Sequence, residues 1–338
     1  MSRRWLVLAI AAQLLVLAWM AGEREWIFRT GQVVHLRTAP IDPRDLFRGD
    51  FVRLQYDVNN VRREHVDGAT AAPARERRRH EVVYTRLQPA GEGVYEAADT
   101  SLERPAQGPF LRGRTEDGWR MGWRGGGHFF VKYGIEQLFV EQGAGLAIEK
   151  RRGTRDALQV PMEVEVAVAP SGTAVIRGYR WSRLGMKLEV LRRPAPRNRN
   201  APSPGPEQPL SPKLRITLAN ASDAPLSLAD AGEHCAFQLV QVEWGGPSYP
   251  PASPGCGGEQ PAVRAIALAP GQAYSAELDL SEPRWHVLAG GKPVEIGALP
   301  GIAQFRIEYR TPQGAGTEAT LWRGRMASQA FNASGVID

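Results

Sequence analysis

Residues 45–58 read Asp-Leu-Phe-Arg-Gly-Asp-Phe-Val-Arg-Leu-Gln-Tyr-Asp-Val and contain the most informative pattern in the chain. From position 52 onward, apolar and polar side chains alternate, with the apolar set at Val52, Leu54, Tyr56 and Val58, whereas Phe51 breaks the pattern at the start of the strand. This period of two is typical of a half-buried β-strand. Proline fixes its own φ and glycine tolerates a positive φ, so Pro43 and Gly49 predict a tight, irregular approach to the strand over residues 42–50.

Part of this stretch, residues 49–56, resembles a known motif. It reads Gly-Asp-Phe-Val-Arg-Leu-Gln-Tyr, which is similar to the GDYXXLXY motif that names a family of membrane-anchored proteins. Phe51 stands where the motif has tyrosine, so the aromatic ring is kept and a hydroxyl is lost. Further matches follow in Gly-Val-Tyr at 93–95, in Phe-Leu-Arg-Gly-Arg at 110–114, and in Tyr-Gly-Ile-Glu-Gln-Leu-Phe-Val-Glu-Gln-Gly at 133–143, which is similar to the family's second diagnostic block.

The resemblance covers roughly residues 1–190 and implies a location and an architecture, because the family has no established activity. Its members are similar to one another in being encoded near polytopic membrane proteins, which implies an integral membrane protein as the partner. The motif residues are therefore the candidate docking residues: Arg48, Gly49, Asp50, Phe51, Leu54, Tyr56, Tyr133, Gly134 and Glu136.

An apolar run extends from Trp5 to Gly22 and is interrupted only by Gln13. As a helix it would reach about 27 Å, close to the thickness of the hydrocarbon core of a membrane. Arg3 and Arg4 precede it, and positive charge keeps a short tail in the cytoplasm. The sequence thus predicts a cytoplasmic tail at 1–4 and a transmembrane anchor at 5–22. A single pass through a bacterial inner membrane would place the rest of the chain in the periplasm.

A cleaved signal peptide is the alternative interpretation of the same run, since its charged start and its length suit one. A signal peptidase prefers small residues at its cleavage site. Trp19 and Met20 are bulky at the corresponding place, and three charged residues follow directly at 23–25. These residues favour a retained anchor.

Composition favours a mainly β protein with two domains. The chain has 338 residues, 36 glycines and 26 prolines, and its apolar residues recur in many short alternating runs. The net charge of +6 comes mostly from two local runs, at 75–80 and at 192–213, without the pattern of a nucleic-acid-binding fold. We therefore predict no nucleic-acid partner, and contact of these runs with the membrane surface is the functional alternative to plain solvation.

The predicted first domain, residues 23–191, is an antiparallel β domain with small helical pieces. Only 133–139 is compatible with a short helix. Alternation predicts its strands at 33–37, 51–58, 82–88, 160–168, 173–179 and 186–190.

A predicted linker at 192–213 follows, in which seven prolines mix with Arg, Asn, Ser and Gly. Such a composition cannot bury a core and predicts a semi-rigid spacer between two domains. The predicted second domain, residues 214–330, has alternating runs at 214–218, 237–242, 263–268, 274–280, 305–309 and 319–322. Their number and spacing are typical of a β-sandwich, and the turns loosely resemble those of immunoglobulin-like modules. Residues 331–338 are a predicted tail.

The two cysteines of the chain, Cys235 and Cys256, both lie in the second domain. In an oxidising compartment, two cysteines in one domain favour a disulfide. By closing the loop between them, this disulfide would stabilise the fold by roughly 3 kcal/mol in the chain-entropy model. Free thiols and a metal site are the alternatives. A metal would need two more ligands, and His234 beside Cys235 has no usual zinc spacing, so no metal is predicted.

The sequence contains no recognisable catalytic pattern. Its six histidines are scattered and show no metalloprotease spacing. The sequence also shows no phosphate-binding loop motif. The carboxylates Asp42, Asp45 and Asp50 suit a salt-bridged turn better than a calcium site, because Arg44 and Arg48 lie between them. No cofactor is predicted.

An anchor followed by an Arg-Gly-Asp-aromatic strand also resembles the signal-peptidase fold, which uses a serine and a lysine. Residues 31–50 contain no serine, and Thr38 with Lys132 would have to replace that pair. We therefore expect a non-catalytic, membrane-anchored binding or assembly protein. The alternatives are a signal-peptidase-like enzyme and an envelope- or carbohydrate-binding module.

Overall fold

The computed structural model describes residues 3–38, 51–62, 66–67, 80–116, 120–121, 127–141, 144–153, 157–191, 213–242, 262–282, 284–289, 292–296, 303–312, 314–332 and 335–337. Two hydrophobic cores organise these residues. One core lies within residues 34–174 and the other within residues 184–331, and we call the two parts the first and the second module.

The chain begins with helix α1 (Arg3–Thr30), whose 28 residues span about 42 Å. It is long and apolar enough to cross a membrane, and its side chains from Arg4 to Trp26 are exposed. The helix continues eight residues beyond the predicted end of the anchor at Gly22. Its last turns touch the first module, where the side chain of Ile27 is buried.

The first module is built of short strands around one large sheet. Its elements are β1 (Gln32–Arg37), β2 (Phe51–Arg53), a 3-10 turn (Asp57–Asn59), β3 (Asn60–Arg62), β4 (Val66–Asp67), β5 (Val82–Gly91), β6 (Val94–Ser101), β7 (Phe110–Thr115), β8 (Arg120–Met121), β9 (Gly127–Lys132), β10 (Gln137–Phe139), α2 (Ala144–Arg152), β11 (Met162–Val168) and β12 (Ala174–Trp181).

The sheet of the first module runs in the order β12-β11-β1-β6-β5-β7-β9-β3 among the described strands, with β4 beside β6 and β8 beside β9. The alternation read from the sequence explains its buried face, since Val34, Leu36, Val164 and Val166 are fully buried on the antiparallel pair β1 and β11. The pair β1 and β6 is parallel, and so is the pair β4 and β6. The other pairs in this sheet are antiparallel, so the predicted mainly antiparallel β class is confirmed.

Two local predictions in the first module differ from the structure, and in the second module the predicted strand at 319–322 is only an isolated bridge at Leu321. Residues 133–139 form no helix, because Leu138 pairs with Val52 in an extended ribbon. The helical piece is α2 instead, which alternation did not indicate. The predicted strand 51–58 ends at Arg53, and its last two residues belong to the turn at 57–59, where the side-chain oxygen of Asn59 accepts the backbone N–H of Tyr56.

The second module contains twelve strands among its described residues. They are β13 (Leu184–Val190), β14 (Lys213–Asn220), β15 (Leu226–Ala231), β16 (Phe237–Val242), β17 (Val263–Leu268), β18 (Ala273–Asp279), β19 (His286–Ala289), β20 (Lys292–Glu295), β21 (Gln304–Arg310), β22 (Arg325–Ala327), β23 (Phe331–Asn332) and β24 (Gly335–Val336). Its larger sheets run β13-β14-β18 and β16-β21-β23-β24, with β22 beside β21. The immunoglobulin-like topology stays a prediction.

The strands on either side of the proline-rich segment pair with each other, which the predicted linker did not anticipate. Strand β13, which precedes it, pairs in full antiparallel register with β14, which follows it, and Leu191 donates a backbone hydrogen bond to Lys213 over 2.7 Å. Leu184, Met186 and Leu188 also belong to the second core. Residues 192–212 thus connect two strands of one sheet, and they do not space two modules apart. The predicted tail likewise joins this module, since Phe331 is fully buried beside Phe305. The other domain bounds stay predictions.

The two modules meet at the turn between β5 and β6. The carboxylate of Glu92 accepts two hydrogen bonds from Arg183, at 2.9 and 2.7 Å, and one from the backbone N–H of Arg323 at 3.2 Å. Gly91 lies so close that a Cβ atom there would be 2.1 Å from the carbonyl oxygen of Arg323. Its φ of +95° also requires glycine. This junction therefore holds the modules in direct contact.

A second set of charges lies beside the first at the same junction. Arg325 forms ion pairs with Glu308 of its own module, at 2.9 Å, and with Glu96 of the first module, at 3.1 Å. Arg37 donates a hydrogen bond to the carbonyl of Arg325. Burial alone would lower the pKa of Arg325, but the carboxylates of Glu308, Glu96 and Asp57 raise it.

Candidate functional site

The two motif segments of the first module lie side by side. Strand β2 and strand β10 form a separate two-stranded sheet, in which Arg53 faces Gln137 and Val52 faces Leu138. The backbone N–H of Leu54 extends the pairing through a bond of 2.8 Å to the carbonyl of Glu136. We call residues 51–54 and 136–139 the motif ribbon.

Two tyrosines tie the motif segments together in a reciprocal way. The hydroxyl of Tyr56 donates to the carbonyl of Ile135 over 2.8 Å, and the hydroxyl of Tyr133 donates to the carbonyl of Val58 over 2.9 Å. Each segment thus supplies a tyrosine to the backbone of the other. Tyr56 is fully buried and Tyr133 is 6% exposed, so these bonds replace bonds to water that the two groups would otherwise make.

A carboxylate completes this arrangement at the turn before β10. One oxygen of Glu136 accepts the backbone N–H of Tyr133 at 2.6 Å, and the other accepts the N–H of Gly134 at 3.0 Å. Gly134 has a φ of +82°, which explains the glycine at this turn. The side-chain amide of Asn59 also donates a hydrogen bond of 2.7 Å to the carbonyl of Val131. Each oxygen of Glu136 therefore accepts a hydrogen bond from the backbone of this turn.

The environment of the two tyrosines keeps their hydroxyls protonated. Burial raises the pKa of Tyr56 well above its usual value, and the charge of Glu136 adds to the effect. Burial likewise raises the pKa of Tyr133, whose hydroxyl also contacts the Thr85 hydroxyl at 2.7 Å. Both hydroxyls are used in hydrogen bonds between the motif segments, so the arrangement braces the fold.

The outer face of the motif ribbon has a different character. Arg53 and Gln137 are exposed, and Phe139 is 78% exposed. Outside α1, the next most exposed large apolar side chain among the described residues is Tyr179, at 42%. An aromatic ring held this far into solvent on a braced strand pair is a surface that another molecule can bury.

A comparison with known protein families identifies this part of the chain. The model of the family described as GDYXXLXY protein matches residues 13–178. Residues 13–178 belong to the GDYXXLXY protein family. No curated protein and no solved structure matches the chain. The matched residues contain most of α1 and the first module up to β12, so the GDYXXLXY domain and the second module are distinct parts of the chain.

The structure separates the predicted docking residues of the GDYXXLXY domain into groups. Leu54, Tyr56 and Tyr133 are buried, and Glu136 bonds to the backbone, whereas Gly134 is exposed at the turn. Arg48, Gly49, Asp50 and the side chain of Phe51 lie outside the described residues, as do Asp42 and Asp45. Docking by the motif stays a prediction. Sequence reasoning missed Asn59 and Thr85, and it missed the outward Phe139, which alternation with the inward Leu138 could have indicated.

The two residues of the alternative peptidase reading have other contacts in the GDYXXLXY domain. The hydroxyl of Thr38 donates to the carbonyl of Met162 over 3.0 Å, and the ammonium of Lys132 pairs with Glu116. Within the described residues, no group of three or more His, Cys, Asp or Glu side chains is placed to hold a metal ion.

The second module has one polar cluster near its described cysteine. Asp230 accepts the hydroxyl of Tyr274 at 2.7 Å and lies 3.0 Å from Nδ1 of His234. Burial raises the pKa of Tyr274, and the bond to Asp230 adds to this. These bonds tie the turn at 231–236 to β18. No described cysteine is free, but Cys256 lies outside the described residues, so its pairing with Cys235 stays a prediction.

Proposed function

We propose that the chain is a membrane-anchored, non-catalytic docking protein whose motif ribbon binds an integral membrane protein. The outer face formed by Arg53, Gln137 and Phe139 is the contact surface. The observation that carries the proposal is the exposed ring of Phe139, which lies on a strand pair whose two segments are tied together by buried tyrosines. Aromatic residues and arginine are the side chains that most often dominate the binding energy of an interface.

The anchor supports an integral membrane protein as the partner. Helix α1 passes into β1 through the single residue Gly31, where a Cβ atom would lie 2.7 Å from the carbonyl oxygen of Ile27 and 3.0 Å from the backbone nitrogen of Val168. The connection is therefore short and tightly packed. A domain held this way stays close to the membrane surface. Integral membrane proteins of the same bilayer are therefore within its reach.

The contacts of the polar motif residues support a non-catalytic role. A general base needs a free acceptor within reach of a substrate proton. Glu136 is bonded to two backbone N–H groups, and the hydroxyls of Tyr56 and Tyr133 are bonded to carbonyls. Thr38 and Lys132 are each bonded to other groups.

We expect substitution at the ribbon to remove the partner and to leave the fold intact. Phe139→Ser and Arg53→Glu should each lower recovery of one specific integral membrane protein from solubilised membranes. The expected loss for Phe139→Ser is about 30-fold, the effect of removing an interface hot spot. Leu102→Ser is the matched control, because Leu102 is also an exposed apolar residue but lies in the turn after β6. An unchanged set of co-purified proteins for Phe139→Ser would refute docking at the ribbon.

We also propose that both modules lie in the periplasm of a bacterium whose inner membrane holds α1, with a disulfide between Cys235 and Cys256. Arg3 and Arg4 before the apolar run support this orientation. In freshly lysed cells quenched with a thiol reagent, both cysteines should resist labelling until a reductant is added. In spheroplasts, external protease should cleave the modules. Labelling of both cysteines without reductant, together with protection from protease, would contradict this location.

A further inference from the structure

We propose that α1 packs inside the bilayer against a transmembrane helix of the partner, along the side that carries Gln13 and directly below the first module. This inference rests on the proposed function and adds a contact within the membrane. It follows from the chemistry of one side chain and from the way the first module fixes the rotation of the helix.

Gln13 is the only strongly polar side chain between Trp5 and Gly22, and it lies near the middle of that run. In hydrocarbon its amide has no water to bond with, and leaving such a group unpaired is unfavourable. The amide has both donors and an acceptor, so another polar side chain or a helix backbone at the same depth satisfies it. Side chains of this type hydrogen-bond across neighbouring transmembrane helices.

The first module determines which way Gln13 faces. Ile27 is buried against the module, and Phe28 lies under the guanidinium of Arg177, 5.3 Å from the ring centre. The tight connection at Gly31 gives the helix no room to rotate. Because α1 is continuous from Arg3 to Thr30, its rotation at the module sets its rotation inside the bilayer.

Helical geometry relates Gln13 to these contacts. Gln13 precedes Ile27 by fourteen residues, and at about 100° per residue the two lie roughly 40° apart around the axis. The same arithmetic puts Gln13 roughly 60° from Phe28, on the opposite side from Ile27. Gln13 therefore lies on the side of α1 that the module covers, about 21 Å further down the axis.

This geometry decides which kind of molecule can lie beside Gln13. Packed helices approach to about 8–10 Å. In a pair of copies joined through Gln13, both first modules would occupy the space above the contact, although a domain of this size has a radius of gyration of about 15 Å. A second copy would thus collide with the first. A helix of the integral membrane partner, carrying no such module at that point, fits.

The stalk leaves space for the end of that helix. Residues Glu23–Thr30 continue α1 by about 12 Å beyond the apolar run, which is longer than the roughly 5–8 Å of one headgroup layer. The side opposite Gln13 carries Ala11, Ala18 and Gly22, roughly 140–180° away around the axis. Two copies of α1 can pack through that side without a collision of their first modules. Self-association through that side is therefore the outcome that competes with binding of a partner helix.

Photo-crosslinking in native membranes tests the inference on the full-length protein. A photoreactive amino acid is placed at Ala9 or Met20, on the side of Gln13, and at Ala11 or Ala18, on the opposite side. We expect an adduct with an integral membrane protein from Ala9 and Met20 only, with the crosslinked peptide mapping to one of its transmembrane segments. Gln13→Leu should lower adduct yield about 3- to 10-fold, and Gln13→Asn should retain it.

Each other outcome overturns the inference. Equal adducts from all four positions would mean that no side of α1 is preferred, and adducts only between two copies, from Ala11 or Ala18, would mean self-association instead of contact with the partner. Unchanged yield with Gln13→Leu would remove the amide from the contact. If no adduct forms while Phe139→Ser still abolishes recovery of the partner, the contact within the membrane fails and the proposed function stands. If both experiments fail, the docking proposal itself is wrong.

Discussion

Replacing Tyr56 by alanine is expected to lower the free energy of unfolding of the first module by about 3–5 kcal/mol. The side chain is fully buried, so its removal leaves a large cavity between the two motif segments and also breaks the bond to the carbonyl of Ile135. Urea unfolding of the detergent-solubilised protein measures the loss. Hydrogen exchange of peptides from 51–62 and 127–141 locates it.

Tyr56→Phe is the matched variant for this prediction. It keeps the ring and removes only the hydroxyl, which should cost about 1–2 kcal/mol because the carbonyl of Ile135 then lacks its donor. Equal losses for alanine and phenylalanine would mean that packing contributes little. A loss below about 1 kcal/mol for alanine would contradict the brace, since it is far below the usual effect of emptying an aromatic site.

Replacing Arg325 by leucine is expected to destabilise the second module by about 3–5 kcal/mol and to loosen the junction. Glu308 is 6% exposed and would keep a buried charge without its cation, and Glu96 of the first module would lose the same partner. Removing one member of a buried ion pair costs far more than removing an exposed charge. Hydrogen exchange at the turn 90–93 should rise together with the loss of stability.

Arg310→Leu provides the control for Arg325. Arg310 lies opposite Arg325 in the pair β21 and β22, but its side chain is exposed. Its replacement should change stability by less than about 0.5 kcal/mol. Combining Arg325→Leu with Glu308→Gln should recover part of the lost stability, because the buried charge is then removed. A double variant that is less stable than Arg325→Leu would contradict this account of the junction.

Local pattern predicted much of the fold. The strands at 237–242 and 263–268 have the bounds that alternation gave them. In the first of them every second side chain is buried, as expected of a strand with one buried face, whereas most of the second is exposed. The anchor was equally clear, although the helix continues to Thr30. Residues 23–30 extend α1 beyond the apolar run and contact the first module. Hydropathy gives no signal for such a polar extension, so the end of the helix could not be predicted.

Non-local pairing could not be predicted in the same way. The composition of 192–213 predicts a segment without a core, but nothing in it says that Val190 pairs with Leu214. The same limit applies at the candidate site. The sequence drew attention to Tyr56, Tyr133 and Glu136, whereas the division into inward tyrosines and an outward Phe139 required the register of β2 with β10.

The most direct test compares partner recovery for two variants of the full-length protein at equal expression in solubilised membranes. Tyr56→Phe weakens the internal brace, and Phe139→Ser changes only the outer face of the motif ribbon. We predict that Phe139→Ser loses the integral membrane partner at an unchanged unfolding temperature, while Tyr56→Phe unfolds at a lower temperature and keeps the partner. The reverse pattern, or retention of the partner by both variants, would contradict docking through the ribbon.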